Sequence, residues 1–377
     1  MTTKNIGALP VQLIRDLINA GHIHGAEMEN ISPASLDLAL SDELYRINEV
    51  FLPYPNESIR NLMKEVHTTP HAPHEPLIRG NTYLARLRES LALPHEVYAY
   101  CNPKSSTGRN DIHVRVLADG IPRFDFAPAG YKGELWVTIT PNSFSTNIPP
   151  GEKLSQIRFF THDTRLSELE LQLAIERDKL LWDASGTPIR YQNLHMSDRD
   201  GSLILTVDLS GEHVGWESIP GNAVLDLSKK REHDPFTFFR PVFCRNGRIL
   251  LKQGHFYILR TKEAIRVPPY LASEIVPMDE RAGEFRSHYA GFFDPGWGWG
   301  KDGEGKGRTA VMEVRPLFQD VALRDGQPIA KFRFEHLTHL PEKHYDEVET
   351  SHYTNQSRTA VLSKHFRLPG KITINLT

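Results

Sequence analysis

The sequence predicts a mainly β protein built from two tandem copies of one fold, with an N-terminal helix and a helical linker between the copies. Three observations carry this. Short runs of alternating apolar and polar residues, bounded by Pro, Gly and Asn, recur along the chain, as in an all-β sandwich or barrel. An ordered series of residue groups occurs twice. One stretch near the middle replaces the strand texture with leucines set among charged residues.

Val11, Leu13, Ile14, Leu17 and Ile18 fall near helical spacing and Gly21 follows as a stop, which predicts a short amphipathic helix over residues 9–21. Ser35–Leu40 and Glu134–Ile139 alternate as strands do. Leu166, Leu169, Leu171, Leu173, Ile175 and Leu181 sit among Glu, Gln, Arg and Lys and predict the helical segment. Strand texture resumes with Leu203, Leu205, Val207 and Leu209.

The repeat is read from its order. Ala34-Ser35-Leu36-Asp37-Leu38 is echoed by Ala223-Val224-Leu225-Asp226-Leu227. Gly80 with Tyr83-Leu84 and Gly254 with Tyr257-Ile258 form a second pair, and Leu93-Pro94 and Val267-Pro268 a third. These two pairs keep one offset, from 80 to 254 and from 94 to 268. Ala129-Gly130-Tyr131 then matches Pro295-Gly296-Trp297, and the stretch from Ile148 to Phe159 matches that from Leu323 to Phe334. The expected organisation is an N-terminal repeat over residues 1–165, a helical linker over 166–200 and a C-terminal repeat over 201–377.

Composition bounds the function. The 377 residues suffice for two domains, and 39% hydrophobic with 24% charged residues describes a core-forming chain. With Lys+Arg 44 against Asp+Glu 47, the basic surplus of a general nucleic-acid binder is missing. The 2 cysteines, Cys101 and Cys244, support neither a disulfide framework nor a multi-cysteine metal site, so a reducing cytoplasm is expected. No apolar run approaches membrane-spanning length, and no membrane partner is expected.

The ordered motifs resemble the dCTP deaminase family of the dUTPase-like β-clip superfamily. Ile31–Leu40 (ISPASLDLAL) is similar to the family's opening strand. Leu91–Arg109 (LALPHEVYAYCNPKSSTGR) is similar to the stretch leading into its Ser-Ser-x-x-Arg phosphate motif. Phe292–Trp297 (FFDPGW) resembles its nucleoside-binding hairpin, Gly307–Val314 (GRTAVMEV) the strand with the catalytic glutamate, and Tyr345–Ser357 the lid. The resemblance implies two distorted β-barrel repeats of the β-clip kind. It also implies a homo-oligomer, and hydrolysis of dCTP to dUTP and ammonia.

Each repeat departs from the family pattern in its own place. The first keeps Ser105, Ser106 and Arg109, but Pro128 stands at the sugar-binding aspartate and Thr138 at the catalytic glutamate. The second keeps Asp294, Glu313 and the lid, but has no serine pair across Asp279–Arg286, where either Arg281 or Arg286 could replace the motif arginine. In the family, one domain supplies the phosphate motif and its neighbour the base pocket. A composite site follows, with phosphates on the first repeat and nucleoside chemistry on the second.

Zinc deaminases activate water through an H-x-E and P-C-x-x-C signature, to which neither cysteine belongs, so a zinc-free route is expected. Glu313 among Val311, Met312 and Val314 is then the candidate general base; taken alone it reads as a strand glutamate paired with Arg315. Ser105, Ser106 and Arg109 are the candidate phosphate donors, with Lys104 as a point charge and Gly108 permitting close approach. Ser105 and Arg109 also join the catalytic set. Ala290, Asp294, Trp297, Tyr345, His352 and Gln356 complete the substrate-binding set, with His352 standing where the family's lid carries lysine. Mg²⁺ is expected to arrive on the triphosphate, without a protein cage. The histidines at 67, 71 and 74 and at 336, 339 and 344 read as surface residues, and the Gly-rich stretch from 296 to 307 reads as a hairpin loop.

Two other activities fit the same fold, dUTP diphosphatase and a bifunctional deaminase-diphosphatase. The tail from Phe366 to Gly370 lacks the Gly-rich closure of dUTPases. A non-catalytic nucleotide sensor is the reading outside enzymology, and Glu313 with the lid argues against it.

Overall fold

The computed structural model describes residues 6–194, 197–276, 278, 285–286, 291–348 and 362–369. The chain is mainly β. Helix α1 (Val11–Asn19) buries Ile14 and Leu17, and Gly21 at φ 74 closes it, the left-handed conformation a helix C-terminus asks of glycine. The first repeat follows with β1 (Ser35–Ile47), β2 (Thr82–Ala92), β3 (Tyr98–Pro103), β4 (Ile112–Ala118), β5 (Lys132–Pro141), β6 (Ser145–Asn147) and β7 (Lys153–Thr161). Six of these pair in the order β4-β5-β2-β1-β7-β3, a sheet that curls because β1 is long enough to serve both halves.

Helix α2 (Glu168–Asp178) crosses between the copies. Its start is set by a capping box, in which Ser167 and Glu170 satisfy each other's backbone N–H. Leu171, Ala174 and Ile175 are buried while Leu169 and Leu173 face out, so the leucine run forms a two-sided helix. The second repeat contains β8 (Ser202–Thr206), β9 (His213–Ser218), β10 (Val224–Asp226), β11 (Phe239–Phe243), β12 (Tyr257–Ile265), β13 (Leu271–Val276), β14 (Phe292–Phe293), β15 (Arg308–Pro316) and β16 (Pro328–His336). Two sheets result, one ordered β11-β9-β12-β15 and one ordered β8-β16-β13-β14.

The two halves pair equivalent strands in the same register. Thr138 pairs with Leu84 on β2, and Glu313 pairs with Ile258 on β12, the same position in the second copy. Gly130 and Gly296 both take positive φ, at 74 and 84, in turns whose next residue accepts from Leu93 N and Val267 N respectively. One sequence echo is corrected. The segment Ala223–Leu227 does not take the place of the opening strand; Ser202–Thr206 does, with Leu203 opposite Phe332 as Leu36 is opposite Ile157. Both segments carry the same alternation of leucines, and only the pairing partner tells them apart. Instead β10 lies parallel to β6 of the first repeat, Ser145 to Val224.

The core crosses the repeat boundary. Phe144, Leu36 and Ile157 share one buried cluster with Trp216, Phe238, Phe239, Ile258 and Phe366. A second cluster, including Leu171, Leu205, Met312 and Phe334, belongs to the later half and the helix. Among the described residues no helix is long and apolar enough to cross a membrane.

Candidate active site

The Ser105–Gly108 segment after β3 forms a single helical turn. Gly108 N donates to Lys104 O at 3.1 Å and Arg109 N to Ser105 O at 3.0 Å. The turn is fastened to β7, with Lys104 N and Thr107 Oγ1 both 2.9 Å from Leu154 O. Gly108 is helical, so its conformation gives no special approach to a ligand; the left-handed residue is Asp111, at φ 56. Lys104 pairs with Asp37 of β1.

Strand β15 runs across the opposite wall. Its period of two sends Ala310, Met312 and Val314 into the core and leaves Thr309, Val311 and Glu313 on the other face. Glu313 is only 2% exposed. Arg315 lies two residues on, on the same face of the strand. It reaches across the repeat boundary to Asp111 and also donates to Gly254 O. Asp111 in turn accepts from Ser143 Oγ at 2.5 Å.

The hairpin after β14 supplies Asp294. Its Oδ1 accepts from Ser35 Oγ at 3.4 Å and from Arg158 Nη2 at 3.2 Å, both first-repeat residues. Burial pushes the Asp294 carboxyl above its usual value, and the Arg158 guanidinium pulls it back. Trp297 packs edge-on against Phe293 at 4.7 Å, and Tyr345 N donates to Pro295 O at 2.7 Å, which fastens Tyr345 to the same hairpin. Arg308 lies over the Tyr345 ring at 6.0 Å.

These parts meet in one cavity of about 1120 Å³. Its wall contains Lys104, Ser105, Ser106 and Arg109 from the first repeat and Asp294, Trp297, Glu313 and Tyr345 from the second. The volume exceeds the range of roughly 300–1,000 Å³ usual for small-molecule sites, room enough for a nucleotide with its phosphates extended. Its described wall contains no cysteine and no histidine. Cys101 is buried, and among the described residues no group of three His, Cys, Asp or Glu is placed to hold a metal ion. Ala290, His352, Gln356 and Arg281 lie outside the described residues, and Arg286 is described only as backbone, paired with Arg315.

The histidines singled out in the sequence do other things. His71 packs edge-on to Tyr83 at 4.8 Å, His336 reaches Glu170 at 3.2 Å, and His344 lies against the Gly296 turn. The Gly-rich stretch wraps Arg266, which donates to Gly303 O at 2.9 Å and stacks on Trp299 at 4.2 Å. Sequence reasoning missed Arg158, the Asp111–Arg315 pair and Lys364. The one available signal was Arg158 itself, a cation set between Ile157 and Phe159 in an apolar strand.

Comparison with known proteins adds the family. Residues 5–163 match the profile of the 2′-deoxycytidine 5′-triphosphate deaminase N-terminal domain, and residues 176–366 match that of its C-terminal domain. The crystal structure of a 2′-deoxycytidine 5′-triphosphate deaminase from Agrobacterium tumefaciens aligns with a TM-score of 0.80 at 35% identity, over 90% of this chain and 100% of that one. No curated protein sequence matches the chain. Two family domains in tandem and a solved relative of the same architecture leave one assignment: the chain is an enzyme of the dCTP deaminase family.

Proposed function

We propose that this enzyme hydrolyses the amino group of dCTP, giving dUTP and ammonia, with Glu313 as general base and without zinc. One observation carries the reading: Glu313 of the second repeat and the Ser105–Arg109 turn of the first line the same cavity. The turn supplies the cations and hydroxyls a triphosphate needs. Arg109 offers a planar fork to phosphate oxygens, Ser105 and Ser106 donate hydroxyls, and Lys104 adds charge. Asp294 accepts from the sugar 3′-hydroxyl, in a turn too tight for a 2′-hydroxyl. Trp297 and Tyr345 border the nucleoside.

In the reaction, a water attacks C4 of cytosine while Glu313 takes its proton. The carboxyl passes that proton to N3, then takes the proton of the new C4 hydroxyl and gives it to the departing amine. The C4–N4 bond breaks, ammonia leaves, and C4 becomes the uracil carbonyl. Glu313 is buried, so its proton transfers run in a medium where bulk water does not compete. Neither cysteine belongs to a P-C-x-x-C motif, which favours a carboxylate base over zinc-bound water. Mg²⁺ would travel with the substrate, ligated by phosphate oxygens and water, and offset the triphosphate charge.

The test is ammonia release from dCTP with Mg²⁺, with the nucleotide product identified. Glu313→Gln is expected to lower kcat by about 10²–10⁴, the usual worth of a general base. A Ser105→Ala/Arg109→Ala variant is expected to lose activity as well. A fully active Glu313→Gln enzyme, or dUMP and pyrophosphate in place of dUTP, contradicts the reading.

A further inference from the structure

The segment 362–369 belongs to the second repeat in chain order, yet it lies on the first repeat's phosphate turn. Ser363 Oγ donates to Asn110 Oδ1 at 2.6 Å, and Asn110 is the neighbour of Arg109. Arg231 N donates to Lys364 O at 2.9 Å, and Glu232 N and His233 N both reach His365 O at 3.2 Å. Phe366 packs edge-on against Phe238 and Phe239, at 5.6 and 5.3 Å. Lys364 is therefore anchored on both sides, and its side chain joins Lys104, Ser105, Ser106 and Arg109 in the cavity wall.

Its surroundings suit an anion. The Lys364 side chain is only 16% exposed, and Glu152 Oε1 lies at 3.9 Å, beyond hydrogen-bond reach. Lys104 shares the wall and is itself paired with Asp37. Burial pushes the Lys364 amine below its usual value, Glu152 and Asp37 pull it back up, and Lys104 and Lys230 push it down. The ammonium is largely desolvated and meets Glu152 only through a 3.9 Å ion pair, so a phosphate oxygen in the cavity would add a charge-assisted hydrogen bond that Glu152 does not supply.

We propose that Lys364 contacts the triphosphate of the substrate, a cation supplied from the far end of the chain to the phosphate turn of the first repeat. This rests on reading the cavity as a nucleoside triphosphate site, and it adds a residue to that site.

The test uses inorganic tripolyphosphate with Mg²⁺, titrated calorimetrically into the full-length chain, so it reads binding apart from deamination. Lys364→Gln is expected to weaken tripolyphosphate at least tenfold, and Lys364→Arg to restore most of the loss. The kcat/KM for dCTP should fall at least tenfold in Lys364→Gln. Acylation of the wild-type chain, read at Lys364 by mass spectrometry, gives the same answer without a variant: tripolyphosphate should protect Lys364. Unchanged affinity in a folded Lys364→Gln chain, or unchanged labelling in the presence of bound tripolyphosphate, overturns the proposal. Tripolyphosphate binding that depends on Lys364 in a chain releasing no ammonia would uphold it, while removing the proposed reaction.

Discussion

Arg158 has no exposed side-chain surface, and its five N–H groups meet five acceptors. Three are the backbone carbonyls of Ala34, Ser273 and Phe293, and two are the carboxylates of Glu335 and Asp294. The guanidinium also lies 4.2 Å over the Phe292 ring. One side chain of β7 thus positions the hairpin that carries Asp294. Burial raises the carboxyls of both Asp294 and Glu335, and Arg158 is the chief force lowering them. Arg158→Met should destabilise the fold by roughly 3–5 kcal/mol, the cost of stranding buried charge. A carboxyl raised in the folded state gives up stability as pH climbs through its folded value, because the unfolded chain has already released its proton. Removing Arg158 raises both carboxyls further, so the loss should be smaller at pH 5.5 than at pH 8. Urea unfolding at the two values checks this, and the Arg158→Met/Asp294→Asn double variant should recover part of the loss at pH 8. An equal loss at both values contradicts the account.

At the scale of elements, the proposed mechanism requires the Ser105–Arg109 turn and β15 to hold one distance, so that Glu313 can serve a substrate bound at the turn. The Asp111–Arg315 pair bridges them directly. Asp111 ends the turn, and Arg315 shares a strand face with Glu313. Asp111 is fully buried, so the pair has little solvent screening. Asp111→Asn and Arg315→Met are each expected to lower kcat tenfold or more, since small displacements of reacting groups are expensive. The double variant should fall little below either single one, with a coupling of at least about 1 kcal/mol in a cycle on kcat. Additive losses would mean the two residues act separately. This bridge was not legible in the sequence, because its ends are 204 residues apart and leave no local period. What was legible had a local signature. Ser105-Ser106 with Arg109, and Asp294-Pro295-Gly296-Trp297, are turn strings whose chemistry and order survive in one dimension. The opening strand of the second repeat was misplaced onto Val224–Asp226 because strand alternation names a face but not a partner.

At the scale of the molecule, the two repeats are tandem in sequence yet not independent in energy. Beyond the Asp111–Arg315 and Arg158 contacts, they are tied by the parallel β6–β10 pair, the burial of Phe144 between Phe238 and Phe239 at 5.1 and 5.3 Å, and the return of residues 362–369 to the first repeat. Each repeat alone would expose part of a cluster that both now fill, and an apolar face left in water is what makes a unit unstable by itself. On the proposed reading, each copy carries only part of the site, and a repeat that does not stand alone has no need of a complete one. The chain should therefore unfold as one cooperative unit. Calorimetry is expected to give a single transition, with fluorescence of Trp136 in the first repeat and Trp216 in the second changing at the same urea concentration. Phe144→Ala should move that transition as a whole by about 3–5 kcal/mol, the usual cost of emptying a buried aromatic site. If it instead splits the transition, with the first repeat melting before the second, the repeats are separate domains that merely share a cavity wall.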